Sequence, residues 1–277
     1  MKHVSTTEKI FNTKLIALRR ARAGKREQSW LINRCIDDVV ERIIDVNRSF
    51  DSILIIGADS LEDQLKKALP KDKYNKIKCI NSITELNEKG NFNIVISLLR
   101  LQTEDNVAEV LIKIHKNLKP DGLFIAAMFG GRTLTELRQV FYKTDNEIYG
   151  GLTPHIYPMT TYKQAAELLV RSGYNQPVVD SDRITVNYSN LNRLINDLRD
   201  LGETNVLNSK SKQQLTKTYM NSLTKNYLSS HSREDGKLKC SFEILWLTGW
   251  IPHISQQKPL KPGAPKINFD TLFNNNK

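Results

Sequence analysis

The residues best placed to do chemistry through the backbone are Gly130 and Gly131, within Met128-Phe129-Gly130-Gly131-Arg132-Thr133-Leu134-Thr135-Glu136. Thr133 and Glu136 have the spacing of a capping box, which predicts a helix starting at Thr133 directly after an apolar run. Two glycines there would leave main-chain N–H groups facing an anion at a helix N-terminus, with Arg132 beside them. The plain alternative is a tight strand-to-helix turn with a surface arginine. A second candidate is Ser52-Ile53-Leu54-Ile55-Ile56-Gly57-Ala58-Asp59-Ser60, again an apolar run, a glycine and a helix start. A dinucleotide or adenosyl cofactor usually asks for two or three glycines, and here Gly57 stands alone. His155, in Gly150-Gly151-Leu152-Thr153-Pro154-His155, is a lone loop histidine, more often a structural hydrogen-bonder than a catalyst. The five histidines (His3, His115, His155, His231 and His253) form no HxxxH or HExxH pattern, so no local metal-ligand set is predicted. Neither a GxSxG elbow nor a P-loop occurs, which removes the common hydrolase and nucleotide-triphosphatase readings.

The elements that would position these residues follow from hydrophobic spacing. Ser52–Ile56, Phe92–Leu99 and Leu123–Phe129 are continuous apolar runs that suit strands buried on both faces of a parallel sheet, and Ile77–Ile80 is a shorter one. Helical spacing separates them: Leu61–Leu69, stopped by Pro70, and roughly Asn106–Leu118 with Val107, Val110, Leu111 and Ile114 on one face. Lys119-Pro120-Asp121-Gly122 reads as a turn in which Pro fixes φ and Gly accepts a positive one. This alternation predicts an α/β fold with a doubly wound, mostly parallel sheet. After a helix at about Thr161–Ser172, Pro177–Asp180 and Arg183–Tyr188 are close enough to pair, so the sheet should end in an antiparallel hairpin.

Two helices precede this core, with Phe11, Leu15 and Leu18 on one, Ile32, Ile36, Val39 and Ile43 on the other, and Gly24 between. Leu191–Leu201 and Gln213–Leu228 read as helices, Phe242–Leu247 as a strand, and the chain from Gln256 as an extended tail. The expected organisation is basic N-terminal helices over 1–50, an α/β core over 51–190, and a helical addition with a tail over 191–277. Thirty-five positions separate Gly57 from Phe92. A βαβ unit takes about 30 residues, so one fits and two do not. No carboxylate directly follows the second strand: Ile80 leads into Asn81, and Glu85 is the first acid.

The 277-residue chain carries a net charge of +11, and residues 1–30 hold eight of its Lys and Arg against only Glu8 and Glu27. Such a segment fits an anionic lipid surface or an acidic partner, or is simply a solvated helix face. Without interleaved aromatics it is no nucleic-acid footprint, so no nucleic acid is expected. No run of eighteen apolar residues occurs. Three separated cysteines (Cys35, Cys79, Cys240) exclude a disulfide scaffold or a four-cysteine zinc site and point to a reducing compartment.

FNIVISLL (92–99) and IHKNLKPDGLFIAAMFGGRTLTELR (114–138) resemble the class I S-adenosylmethionine-dependent methyltransferase fold. More narrowly, the chain resembles the complex I assembly factor arginine hydroxylases. The likeness extends through IFNTKLIALRRARA (10–23), GGLTPHIYP (150–158), LLVRSGYNQPVVDSDRITVNY (168–188), LINDLRDLGETN (194–205), REDG (233–236) and LTGWIPHISQ (247–256). It implies a methyltransferase-fold protein that assists respiratory complex I assembly by modifying an arginine of an iron–sulfur subunit. It implies S-adenosylmethionine as cofactor, at Gly57, Asp59, Asn81 and Leu98, no metal, and no assigned catalytic residue. The partner-facing half would comprise Gly130, Gly131, Arg138, Pro154, His155, Asn187, Tyr188, Glu203, Asn205 and Trp250.

This sequence departs from the family at two places: the glycine-rich first loop is IIGADS, and the His-Trp of the family is Arg100-Leu101-Gln102. The segment between them is shorter. Two alternatives therefore stay open, a non-catalytic assembly chaperone that has lost the cofactor and a carrier-protein or small-molecule methyltransferase. The basic helix begins at about residue 8, leaving no room for a presequence. A bacterial cytoplasmic protein, with peripheral contact to the anionic inner membrane face, is expected, with a processed matrix protein as the alternative.

Overall fold

The structure is a computed structural model and describes residues 9–26, 29–57, 60–86, 91–209 and 215–257. One sheet of six strands forms the centre: β1 (Phe50–Ile56), β2 (Tyr74–Ile80), β3 (Phe92–Leu98), β4 (Leu118–Phe129), β5 (Asn175–Tyr188) and β6 (Leu238–Trp250), in the order β2-β1-β3-β4-β6-β5. β1 to β4 are parallel, and β6 runs antiparallel between β4 and β5. The α/β class and the closing antiparallel pair are as the apolar runs predict. The members of that pair differ, however. Residues 177–180 and 183–188 are successive parts of β5, because Ser181 and Asp182 stay in register with Leu245 and Ile244 and no turn residue interrupts them. The partner strand is β6, so part of the expected C-terminal addition belongs to the sheet.

Alternate strand residues face opposite sides. Ile53, Ile55, Ile94, Ile96, Ile125 and Phe129 pack under α2 (Trp30–Asp45), α3 (Ser60–Ala68), α5 (Thr135–Tyr149), α7 (Leu191–Leu201) and α8 (Lys217–His231). Leu54, Val95, Phe124, Met128, Leu245 and Leu247 pack under α4 (Val107–Asn117) and α6 (Tyr162–Arg171). β1 reaches β2 through α3. From β2 the chain crosses to the far side of β1 through 81–91, where the described residues contain one short 3-10 turn, Ile83–Glu85, and no α-helix. That is the short connection anticipated from the spacing.

α1 (Thr13–Ala23) sits outside these layers, fixed by a small cluster of Phe11, Ile16, Tyr157, Val206 and Leu207. The expected Phe11–Leu15–Leu18 stripe is not the buried one: Leu18 is 47% exposed and Ile16 is buried. The reason is that Phe11 precedes the helix, in an extended stretch where Asn12 donates to the Val206 carbonyl and Phe11 bridges Leu207. Lys119–Gly122 is likewise no free turn but a bulge inside β4. Asp121, not Gly122, takes the positive φ (59°) and is held by Arg48 Nη1 at 2.6 Å. No described helix is long and apolar enough to cross a membrane.

Candidate functional site

The order of strands reverses between β1 and β3, β2 lying on one side of β1 and β3 on the other, and such a switch point is where an open α/β sheet binds its ligand. Gly57 ends β1 there and is buried. A Cβ on it would meet Leu61 Cδ1 at 2.3 Å, so the Leu61 side chain already fills the space that the glycine opens. Asn81, after β2, gives its N–H to Glu85 Oε1 (3.1 Å), which also accepts from Ser82 N (2.9 Å). The first acid after β2 thus caps its own 3-10 turn. Leu98 is buried in the core, and Asp59 lies outside the described residues. A bound adenosyl group needs close backbone approach and a carboxylate for the ribose hydroxyls. As arranged, the described residues offer neither and do not fit it. At the end of β3, Leu99 holds a left-handed φ of 50°, with its carbonyl accepting from Gln102 Nε2 at 2.9 Å. For a branched residue that backbone is strained by the order of 1 kcal/mol. Burial and then Arg20 pull the Arg100 guanidinium down to about 10, against the opposing pull of Glu203 and Cys79.

The loop after β4 departs from its expected role. The capping box does not form: α5 begins at Thr135, and Leu134 caps it in the left-handed region without a side-chain bond. Thr133 Oγ1 instead exchanges hydrogen bonds with the Glu243 main chain (3.0 Å each), and Glu136 accepts from Ser241 N and Oγ on β6. Gly130 N donates to the Glu243 carbonyl and Gly131 N to that of Thr160. A Cβ on Gly130 would stand 2.5 Å from Glu243 Oε2. Gly130 is therefore a close-packed joint between β4 and β6, Gly131 ties the loop to Thr160, and neither N–H is left for an anion.

A cavity of about 690 Å³ does open beyond the carboxyl ends of β4 and β5, between α1, α5, α7, α8 and the loop 153–159. Its floor is apolar, with Leu134, Leu137, Phe141, Leu198, Met220 and Leu223. At one end His155 lies stacked on Phe141 (ring centroids 4.1 Å apart) and contacts both oxygens of Asp145 at 3.0 Å through Nε2. Asp145 is fully buried and also accepts from Tyr219 Oη (2.5 Å), Thr153 N (2.9 Å) and Thr153 Oγ1 (2.7 Å). Burial alone would raise this carboxyl, but the bonds from Tyr219, Thr153 and His155 outweigh it and hold it below the usual aspartate range. At the other end Glu203 accepts from the Tyr157 hydroxyl and lies 3.6 Å from Arg20 Nη2. Burial, then Glu203, pushes Tyr157 far up, so it remains a proton donor. Asn205 Nδ2 ties this end to the Pro154 carbonyl (2.7 Å).

Of the residues proposed from sequence, His155, Glu203 and Asn205 come together here, while Gly130 and Gly131 serve packing. Arg138 is half-buried with Nε and Nη2 unpartnered among the described residues. Asn187 is exposed on β5 opposite Lys239, and Tyr188 is buried beneath α7. Trp250 pairs with Leu123 at the opposite end of β4, under the Arg48 guanidinium (4.9 Å). Sequence reading missed Asp145, Tyr157 and Tyr219. Only the spacing of Asp145, ten residues before His155 across a glycine pair, hinted at a contact. No three His, Cys, Asp or Glu side chains converge as a metal site among the described residues.

No family model matches the chain. A Bacillus halodurans protein of methyltransferase type superposes with a TM-score of 0.50 at 11% identity, over 78% of this chain and 99% of that one. The architecture is therefore that of the class I methyltransferases. In sequence, the mitochondrial arginine-hydroxylase NDUFAF5 of Mus musculus is 32% identical over 258 residues (84% of this chain, 74% of the relative). Its Danio rerio counterpart is 33% identical over 254 residues (84% and 79%). Likeness to the malonyl-[acyl-carrier protein] O-methyltransferase of Xylella fastidiosa, 31% over 160 residues, spans 58% of this chain and 52% of that enzyme. The chain belongs to the arginine-hydroxylase NDUFAF5 family.

Proposed function

We propose that the chain assists the assembly of respiratory complex I by receiving an arginine-bearing segment of an iron–sulfur subunit, and that the cavity beyond β4 and β5 is where it docks. One observation supports this above others. Much of the cavity wall comes from 150–158, 194–205 and the opening helix, segments through which the likeness to the arginine hydroxylases runs beyond the sheet core, and α5 and α8 complete it. In this reading Asp145 fixes the His155 ring through Nε2, and Tyr157 and Arg20 fix the Glu203 carboxylate, so both polar ends are preorganised before the client arrives. Lys14, Arg22, Lys25 and Arg26 are exposed and offer positive charge for peripheral contact with an anionic lipid surface. The compartment is that of complex I assembly, the bacterial cytoplasm at the inner membrane face or the mitochondrial matrix.

The test is complementation of cells lacking their own family member, with complex I assembly read on native gels and the client analysed by mass spectrometry. Restored assembly is the expected result, with one oxygen added to a client arginine from dioxygen and the second oxygen atom leaving as water at the expense of a two-electron donor. A folded, expressed chain that restores nothing overturns the proposal. Leu61 against Gly57 favours a second reading, a non-catalytic holder of the same client. It predicts restored assembly with the arginine unmodified.

A further inference from the structure

One wall of the cavity carries a row of like charge. Arg19, Arg22 and Arg26 line it from α1 and the turn that follows, at positions i, i+3 and i+7, and Arg199 joins them from the last turn of α7. At 1.5 Å per residue the row spans roughly 10 Å. Arg26 is paired with Asp200 at 2.7 Å, and Glu203 is already taken by Arg20 and Tyr157. Among the described residues neither Arg22 nor Arg199 makes an ion pair, and Arg19 gives Nη1 to the Asn205 carbonyl. Gly202, at the end of α7 with φ of 75°, lets the two helices close: a Cβ there would stand 3.3 Å from Arg20 Cα. The row is thus held against an apolar floor with its positive charge largely unanswered.

We infer that this cavity takes an extended, acidic stretch of the protein client, with carboxylates on the arginine row and the intervening apolar side chains on the Leu134–Leu137–Leu223 floor. The inference rests on the function proposed above and names the chemistry of the docking segment. In an extended chain every second side chain points the same way, about 7 Å apart. Two or three carboxylates at that spacing match a row of roughly 10 Å. A single anionic head group would answer one or two guanidiniums and leave the rest unpaired. A client arginine is repelled by the same row, so it is the acidic neighbours of that arginine which enter, and they hold it at the rim. Arg–carboxylate geometry favours such pairing, and the positive field steers the segment inward.

The experiment uses the full chain and a fluorescein-labelled ten-residue peptide of alternating glutamate and leucine, read by anisotropy. A lysine–leucine peptide, decanoate and phosphatidylglycerol vesicles are run beside it. Saturable binding of the acidic peptide is expected, weakening steeply with added salt, with no binding of the basic peptide. The exposed-rim double variant R22E/R199E should bind at least about tenfold more weakly at unchanged melting temperature. R22Q/R199Q, which adds no new charge, should show a smaller loss in the same direction. No binding at millimolar peptide, or binding indifferent to both variants, overturns the inference. So does decanoate binding as tightly with the same arginine dependence, which makes the cavity a site for small amphiphiles, or binding confined to vesicles. Complex I plays no part in these measurements, so a negative result here leaves the complementation test standing, and the converse holds.

Discussion

Replacing Asp145 by asparagine tests whether the buried carboxylate organises its end of the cavity. Its two oxygens serve four donors, from Tyr219, His155 and both the N–H and hydroxyl of Thr153, at 2.5–3.0 Å. An amide keeps the shape but turns one acceptor into a donor facing donors, and it removes the charge. Losing one member of a buried charged network costs about 3 kcal/mol or more, and a single hydrogen bond to a buried charge about 2 kcal/mol. We expect D145N to lose about 3 kcal/mol and Y219F about 2 kcal/mol in urea unfolding at pH 7, with unchanged m-value. With an unfolding entropy of roughly 0.6 kcal/mol/K for a chain of this length, D145N should melt about 5 °C lower. Because both changes remove the Tyr219–Asp145 bond, the double variant should lose about 1–2 kcal/mol less than the sum.

The pH dependence has a definite sign. The folded-state carboxyl is held below its unfolded value of about 3.9, so its contribution is present above that pH and fades as pH falls through the lower folded value. The gap between wild type and D145N should therefore narrow below about pH 4. A deficit under roughly 0.5 kcal/mol, strict additivity with Y219F, or a gap that stays constant on acidification would refute the reasoning.

The joint between β4 and β6 should be intolerant of bulk: G130A forces Glu243 from its bonds to Arg132 N and Ser181 Oγ, and a loss of about 2 kcal/mol or more is expected in the same unfolding assay, against which near-wild-type stability would count. With Leu61 against Gly57 and Glu85 turned to its own backbone, calorimetric titration with S-adenosylmethionine should show no saturable heat at millimolar ligand; stoichiometric binding would show that the described arrangement rearranges. Burial pushes the Cys35 thiol up to about 12 and raises Cys240 as well, so both should resist maleimide at pH 8 in the native chain and label fully in urea. Native labelling of either, traced by peptide mass spectrometry, would show that the helical layer over β6 opens.

The sheet was readable because its parallel strands are buried on both faces, which turns Ser52–Ile56, Phe92–Leu98 and Leu123–Phe129 into unbroken apolar runs. β5 reads in sequence as two short strands because it is an edge strand with alternating exposure, and the polar Ser181 and Asp182 mimic a turn. Thr133 and Glu136 carried a true local signal for a helix cap, yet β6 offered both side chains better partners inside the fold, and tertiary bonds prevailed. The cavity was half legible. His155, Glu203 and Asn205 stood in segments tied to the family, but their partners Asp145, Tyr219 and Tyr157 lie on separate elements, and no spacing rule joins them. The basic opening helix shows in the sequence as a charge excess, and only packing shows that Arg19, Arg22 and Arg26 line a cavity wall.

β6 lies between two strands that precede it in the chain, and synthesis on the ribosome gives that order a price. Until residue 250 has been made, β4 carries an open edge of Leu123–Phe129 and β5 has no neighbour at all. The nascent polypeptide must wait, after the first five strands have emerged, for the strand that joins β4 to β5. During that interval its exposed edge is a template for other chains. Premature termination before Leu238 should therefore yield insoluble material and not a smaller soluble domain.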